Sequence, residues 1–243
     1  MNTGMPSRLV ALCFDANDPP RLARFWAEAL SWHAHDATGD EVELAPTDGT
    51  AFVIRFMPVP ERKEGKNRIH LDLTTTSTDD QRATARRLIE LGAHPVDIGQ
   101  GPREPHIVLA DPEGNEFCVI EPENSFLAGR GRLGSITCDG SREVGYFWSE
   151  ALGWPLVWDQ DGETAIGAPD GAGPFITWGP PVPPKAAKNR LHLDIAPDHG
   201  DQRAEVDRLI SLGAVRIDIG QGDADWVVMA DPDGNEFCVL NPR

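Results

Sequence analysis

The sequence predicts an α+β protein in which one βαβββ-type module is written twice. Three observations predict it: long internal repeats, apolar periods that switch between about 2 and about 3.6 within each repeat, and turn motifs at matching places. Ala110-Asp-Pro-Glu-Gly-Asn-Glu-Phe-Cys-Val-Ile120 returns as Ala230-Asp-Pro-Asp-Gly-Asn-Glu-Phe-Cys-Val-Leu240. Asn67-Arg-Ile-His-Leu-Asp-Leu73 returns as Asn189-Arg-Leu-His-Leu-Asp-Ile195, and Phe25-Trp26 as Phe147-Trp148. His70 and His192 are 122 residues apart, and Ala110 and Ala230 are 120 apart. That period is far too long for a solenoid repeat and suits a small α+β unit. The copies run over 8–122 and 133–242. The stretch 123–132 holds Asn124, Ser125, Gly129 and Gly131 and reads as a linker.

Within the first copy, residues 9–14 are a short apolar run, read as a strand. Asp18-Pro19-Pro20 opens a helix: Asp18 can cap it, and proline suits the first turn. Leu22, Phe25, Trp26 and Ala29/Leu30 then recur at helical spacing. Residues 41–44 and 51–56 are strands around the Pro46-Thr-Asp-Gly49 turn, and 68–73 is a strand of strict alternation. A helix follows over 78–91, capped by Ser77 or Thr78 and stopped by Gly92. Strands 107–110 and 116–120 close the copy around the Asp111-Pro-Glu-Gly-Asn115 turn. The expected order is one strand, a helix, three strands, a helix and two strands, with both halves of a copy sharing one sheet.

Lys+Arg is 22 against Asp+Glu 39, a formal charge of −17. So acidic a surface excludes nucleic acid and anionic membrane as expected partners, and solubility is its plainest meaning. No apolar run approaches the roughly 20 residues of a membrane span. Residues 1–7 are polar, without a signal-peptide core, so a cytoplasmic location is expected. Cys13, Cys118, Cys138 and Cys238 have no zinc-ligand spacing and are expected to be reduced thiols.

The opening helix, the Leu152-Gly-Trp154 ending, Leu91-Gly-Ala93 and the Asp-Pro-Glu-Gly-Asn-Glu-Phe turn together resemble the vicinal oxygen chelate superfamily. The nearest likeness is to its glyoxalase-like and bleomycin-resistance-like proteins with two tandem modules. The resemblance covers both copies. It implies a glyoxalase/bleomycin resistance/dioxygenase-like fold, with curved mixed sheets forming a cup. In metal-dependent members it implies ligands on a first, a middle and a last strand. Carried over, these fall at Ala11 and Leu133, at His70 and His192, and at Cys118 and Cys238. Alanine and leucine cannot coordinate a metal, and one His with one Cys suits hard octahedral ions poorly. No cofactor is therefore expected. If a divalent metal is bound, the set would be His70 with Glu116 and His192 with Glu236.

Strand alternation decides what faces the cup. Arg68, His70 and Asp72 share one face of their strand, and Arg190, His192 and Asp194 repeat the row. The row can orient a polar ligand, or it can be a structural network tying the modules together. His70 or His192 could also serve as a general base. Cys118 and Cys238 read as small buried strand residues rather than nucleophiles. Trp178, on a middle strand, and Trp226, at the start of a late one, lack counterparts in the first copy and suit a flat or apolar ligand. The proline loops 58–66 and 180–188 precede the histidine strands and could overhang the cup.

Two classes of function follow. One is a metal-independent binder that sequesters or carries an apolar or aromatic metabolite or drug. The other is a lyase, isomerase or dioxygenase of this superfamily with an atypical or metal-free site at His70 or His192. A small molecule is the expected partner in both. The duplication supplies internally the pairing that single modules obtain by dimerising, so a monomer is expected, with a homodimer as the alternative.

Overall fold

Each copy folds as two βαβββ units. The computed structural model of the chain describes residues 6–36, 40–101, 103–182, 184–185 and 187–242. The first unit comprises β1 (Ser7–Ala16), α1 (Pro19–Leu30), β2 (His33–Asp36), β3 (Val42–Ala45) and β4 (Val53–Pro58). The second comprises β5 (Ile69–Leu73), α2 (Thr78–Glu90), β6 (His94–Pro95), β7 (Ile107–Ala110) and β8 (Glu116–Val119). The second copy repeats both. Its third unit is β9 (Leu133–Asp139), α3 (Arg142–Leu152), β10 (Leu156–Gln160), β11 (Glu163–Ile166) and β12 (Phe175–Gly179). The fourth is β13 (Leu191–Pro197), α4 (Gln202–Leu212), β14 (Val215–Arg216), β15 (Val227–Ala230) and β16 (Glu236–Val239). The strands β2 and β6 are additions to the sequence reading. Both directly follow helices and are short, with little apolar alternation to announce them.

The start of α1 shows how local chemistry sets an element. Asp18 accepts a hydrogen bond from the Arg21 backbone N–H, and prolines fill the first turn. Leu22, Phe25, Trp26, Ala29 and Leu30 then turn inward together. Trp26 donates from Nε1 to Asp111 Oδ2 at 3.1 Å, and Trp148 donates to Asp231 Oδ2 at 3.2 Å. Each buried aspartate also accepts backbone N–H groups of its own Asp-Pro-x-Gly-Asn turn, so the turn motif is the polar foot on which the core tryptophan stands.

Strand pairing overturns one expectation. The two halves of a copy do not share a sheet. One eight-stranded sheet runs β14-β15-β16-β13-β1-β4-β3-β2 and joins the first unit to the fourth. The other runs β10-β11-β12-β9-β5-β8-β7-β6 and joins the second unit to the third. The joins are the antiparallel pairs β1–β13 and β5–β9. Every concave face is therefore built from both copies. The apolar strand residues and the helices close the cores on the other faces.

Two crosswise contacts hold the sheets together. Arg190, beside β13, reaches Glu113 Oε2 at 3.0 Å and the Glu61 carbonyl at 2.7 Å. Arg68, beside β5, donates to the Asp233 carbonyl at 3.3 Å. Each arginine thus reaches a turn that belongs to the other sheet. The stretch 123–132, expected to be a linker, also packs. Phe126 meets Trp158 and Phe175 edge-on or tilted, and Arg130 lies 4.5 Å over the Phe175 ring. Among the described residues, no helix is long and apolar enough to cross a membrane.

Candidate functional site

Each sheet cradles one cavity, and the larger, of about 680 Å³, lies on the sheet of the first and fourth units. Along β1, Leu12 and Phe14 enter the core, while Cys13 and Asp15 face the cavity. Cys13 stands opposite Arg55 on β4 and opposite His192 on β13. Asp194 Oδ2 accepts from Cys13 Sγ at 3.1 Å and from Arg55 Nη1 at 3.2 Å. Arg55 Nη2 donates to Glu43 Oε2 at 3.2 Å. His192 Nε2 lies 3.4 Å from Asp194 Oδ1, and its Nδ1 is buried with no protein partner among the described residues. Lys188 pairs with Asp15 in the same wall.

The electrostatics follow from this packing. Burial opposes a charge on His192, but Cys13, Asp194 and Cys238 outweigh it and hold its pKa well above the ordinary value. Burial likewise opposes a charged Asp194, yet His192, Cys13 and Arg55 carry its pKa below the usual carboxylate range. Burial, with Asp194 beside it, pushes the Cys13 thiol up to about 12. The bottom of this cup therefore holds a carboxylate and a guanidinium beside a buried histidine and a neutral thiol.

The second cavity, of about 470 Å³, lies on the other sheet. Here His70 stands opposite Thr137, and Thr137 stands opposite Thr177. Thr177 Oγ1 donates to Thr137 Oγ1 at 3.1 Å, and Thr137 Oγ1 donates to Asp72 Oδ2 at 2.6 Å. Ser135 Oγ donates to the same oxygen at 2.7 Å, while His70 Nε2 lies 3.5 Å from Oδ1. Burial, followed by Asp72, raises the Cys118 thiol. Hydroxyls thus occupy in this cup the places of Cys13 and Arg55.

Two clusters bring metal-type donors within reach of one another: Cys13, His192 and Asp194 in the first cup, and His70, Asp72 and Cys118 in the second. Neither suits the hard divalent ions of the superfamily. In the first, the Arg55 guanidinium already holds one oxygen of the cluster's carboxylate, and its positive charge opposes a second cation there. In the second, two hydroxyls occupy one oxygen of the carboxylate. Three donors, one of them sulfur, fall short of the all-oxygen or nitrogen–oxygen octahedron such ions take.

The residues singled out by sequence separate into groups. His192 and Asp194 meet in the first cup, and His70 and Asp72 in the second. Arg68 and Arg190 line neither cavity; as the first residue of each row they turn away to bridge the sheets. Glu236 lies in the wall of the first cup, but Lys185 Nζ binds it at 2.6 Å. Glu116 lines neither cavity and is held by Lys63 Nζ at 2.9 Å. Neither glutamate belongs to a donor cluster. Trp178 backs the second cup, buried and stacked on Trp148 with ring centres 6.4 Å apart. Trp226 stands at the edge of the first cup, 38% exposed. The proline loops do reach the cups: Pro58, Val59 and Lys188 line the first, and Lys66, Pro180 and Pro181 the second. Pro183 lies outside the described residues.

Two central residues escaped the sequence reading. Counting back from the helix cap placed the first-strand position at Ala11, two residues short of Cys13, the residue opposite His192. Leu133 likewise packs in the core, and Thr137 stands opposite His70. Arg55 had a signal, since Ile54 and Phe56 alternate into the core and leave it on the cup face.

A family model for the glyoxalase-like domain matches residues 11–120 and again 135–240. The chain belongs to the glyoxalase-like domain family. The glyoxalase-like chain also superposes on solved structures over nearly all its length. Glyoxalase I from Zea mays has a TM-score of 0.62 at 15% identity, over 97% of this chain and 92% of that one. A Bacillus subtilis protein provisionally named a dioxygenase has a TM-score of 0.60 at 13% identity, over 99% and 87%. At such identities the likeness establishes the fold alone. No curated protein matches the sequence.

Proposed function

We propose that this glyoxalase-like protein binds a small molecule in the first cup, without a metal ion and without converting the ligand. The observation that carries the reading is the seat of Arg55, whose guanidinium holds Asp194 and Glu43 beside the cysteine–histidine–carboxylate cluster of that cup. A cavity of about 680 Å³ suits a drug-sized or metabolite-sized molecule. Trp226, Met57 and Val228 supply apolar wall, so the body of the ligand is apolar or aromatic.

The competing reading is a metal-free enzyme with His192 as base. The unpartnered Nδ1 of His192 is its support. Against it stands the burial of that Nδ1, which leaves it no accessible surface on which to meet a substrate proton. The test is a thermal-shift screen of aromatic carbonyl and carboxylate compounds in chelator-treated buffer. Each hit is incubated with the protein and recovered for mass spectrometry. Binding in chelator with the compound recovered intact is the expected result. Chemical change of the compound, or binding that needs an added divalent ion, would overturn the proposal.

A further inference from the structure

We infer that the Arg55 guanidinium stands in for the metal ion in the first cup: it fills the cation position beside Cys13, His192 and Asp194 and binds an anionic or carbonyl oxygen of the ligand. The inference rests on the reading of this cup as a metal-independent binding site and names how that site grips its ligand.

Register places the guanidinium there. β1 lies between β4 and β13, so the Arg55 side chain must pass over Cys13 to reach Asp194. Cys13 Sγ and Arg55 Nη1 both end on the same oxygen, Asp194 Oδ2. A cation held by the three clustered donors would occupy that space. A guanidinium carries five N–H donors. One goes to Asp194 and one to Glu43, and the group still lines the cavity. The remaining donors form a planar fork suited to a carboxylate or carbonyl oxygen.

The second cup is an internal control. Thr177 stands where Arg55 does, and its hydroxyl joins a neutral chain through Thr137 to Asp72. The duplication thus holds one cup with a guanidinium over its His–Asp pair and one with hydroxyls there, the Lys66 ammonium of the second cup lying against Asp139 instead. Guanidinium recognition of a ligand oxygen beside the His–Asp pair belongs to the first cup.

Cobalt(II) and oxalate test this. All proteins carry Cys118→Ser, so that thiolate-to-cobalt absorption reports on the first cup. The wild-type cup and Arg55→Lys are expected to give no such band. Arg55→Met is expected to gain it, and to lose it again with Cys13→Ser. Arg55→Gln serves in its place if Arg55→Met does not fold. In chelator, the wild-type cup is expected to bind oxalate by calorimetry. Arg55→Met should weaken that binding roughly tenfold or more, as for the loss of one charge-assisted pair. A Cys13-dependent cobalt band in the wild-type cup would overturn metal independence itself. A clean wild type with a folded Arg55 variant that gains no band would overturn the surrogate role and leave metal independence standing. Oxalate binding that is absent from the wild type, or unchanged in Arg55→Met, would overturn the ligand assignment.

Discussion

Arg55 and Asp194 lie 139 residues apart in the chain and meet at 3.2 Å, one from each copy of the repeat. Both side chains are nearly buried, and the pair joins the halves of one sheet across the floor of its cup.

That burial fixes how the pair should respond to mutation. Removing one partner strands the other charge in a poorly hydrated place, at a cost of about 3–5 kcal/mol. Arg55→Met and Asp194→Asn are each expected to lower stability by about that amount in chemical denaturation. The double variant should lose less than the sum of the two single losses, because the contact between the pair is counted in both. Additive losses would show that the two side chains do not interact.

The inter-sheet contact of Arg190 with Glu113 is equally enclosed, with both side chains 8% exposed. It ties the fourth unit to the turn of the second, hence one sheet to the other. Arg190→Met should cost about 3–5 kcal/mol by the same reasoning. Oxalate affinity in the first cup should hardly change, since Arg190 lines neither cavity. A large fall in affinity with little change in stability would assign Arg190 to ligand binding instead.

The buried thiols make stability depend on alkaline pH. Cys13 is raised from 9.0 to about 12, first by burial and then by Asp194. The folded state therefore keeps this proton while the unfolded chain gives it up. The contribution is fully present below pH 9 and is lost as pH rises through about 12. The slope in that window is about 1.4 kcal/mol per pH unit for each such thiol. Denaturation curves at rising pH should show a shallower decline for Cys13→Ala than for the wild type. Native Cys13 should also resist iodoacetamide at pH 8, because its thiolate is scarce. Equal slopes, or fast alkylation of the folded protein, would refute the neutral buried thiol.

The repeat made the fold legible, since its two copies name the same strands, helices and turns. The His–Asp pairs were legible too, because alternation along one strand is a local rule: His192 and Asp194 must share a face. The crosswise pairing was not. Nothing local to β1 states that its neighbour is β13 rather than β5, which belongs to its own copy. Arg55 could be placed on a cup face, but its meeting with Asp194 depends on that distant pairing. Cys13 was missed for a narrower reason. Register is set by the paired strands and by the irregularity between Leu9 and Ala11, and counting back from a helix cap sees neither. Arg68 and Arg190 follow the alternation of their rows yet stand just before β5 and β13, where long side chains are free to reach the opposite sheet.

A glyoxalase-like cup that works with a guanidinium in place of a metal should stay empty of metal when metals are offered to it. Purified protein is dialysed against a mixture of manganese, iron(II), cobalt, nickel and zinc, separated from free ions by gel filtration, and assayed by plasma mass spectrometry beside His192→Ala. Only traces of metal, equal in both proteins, are expected. About one ion per chain in the wild type, lost in His192→Ala, would contradict the account.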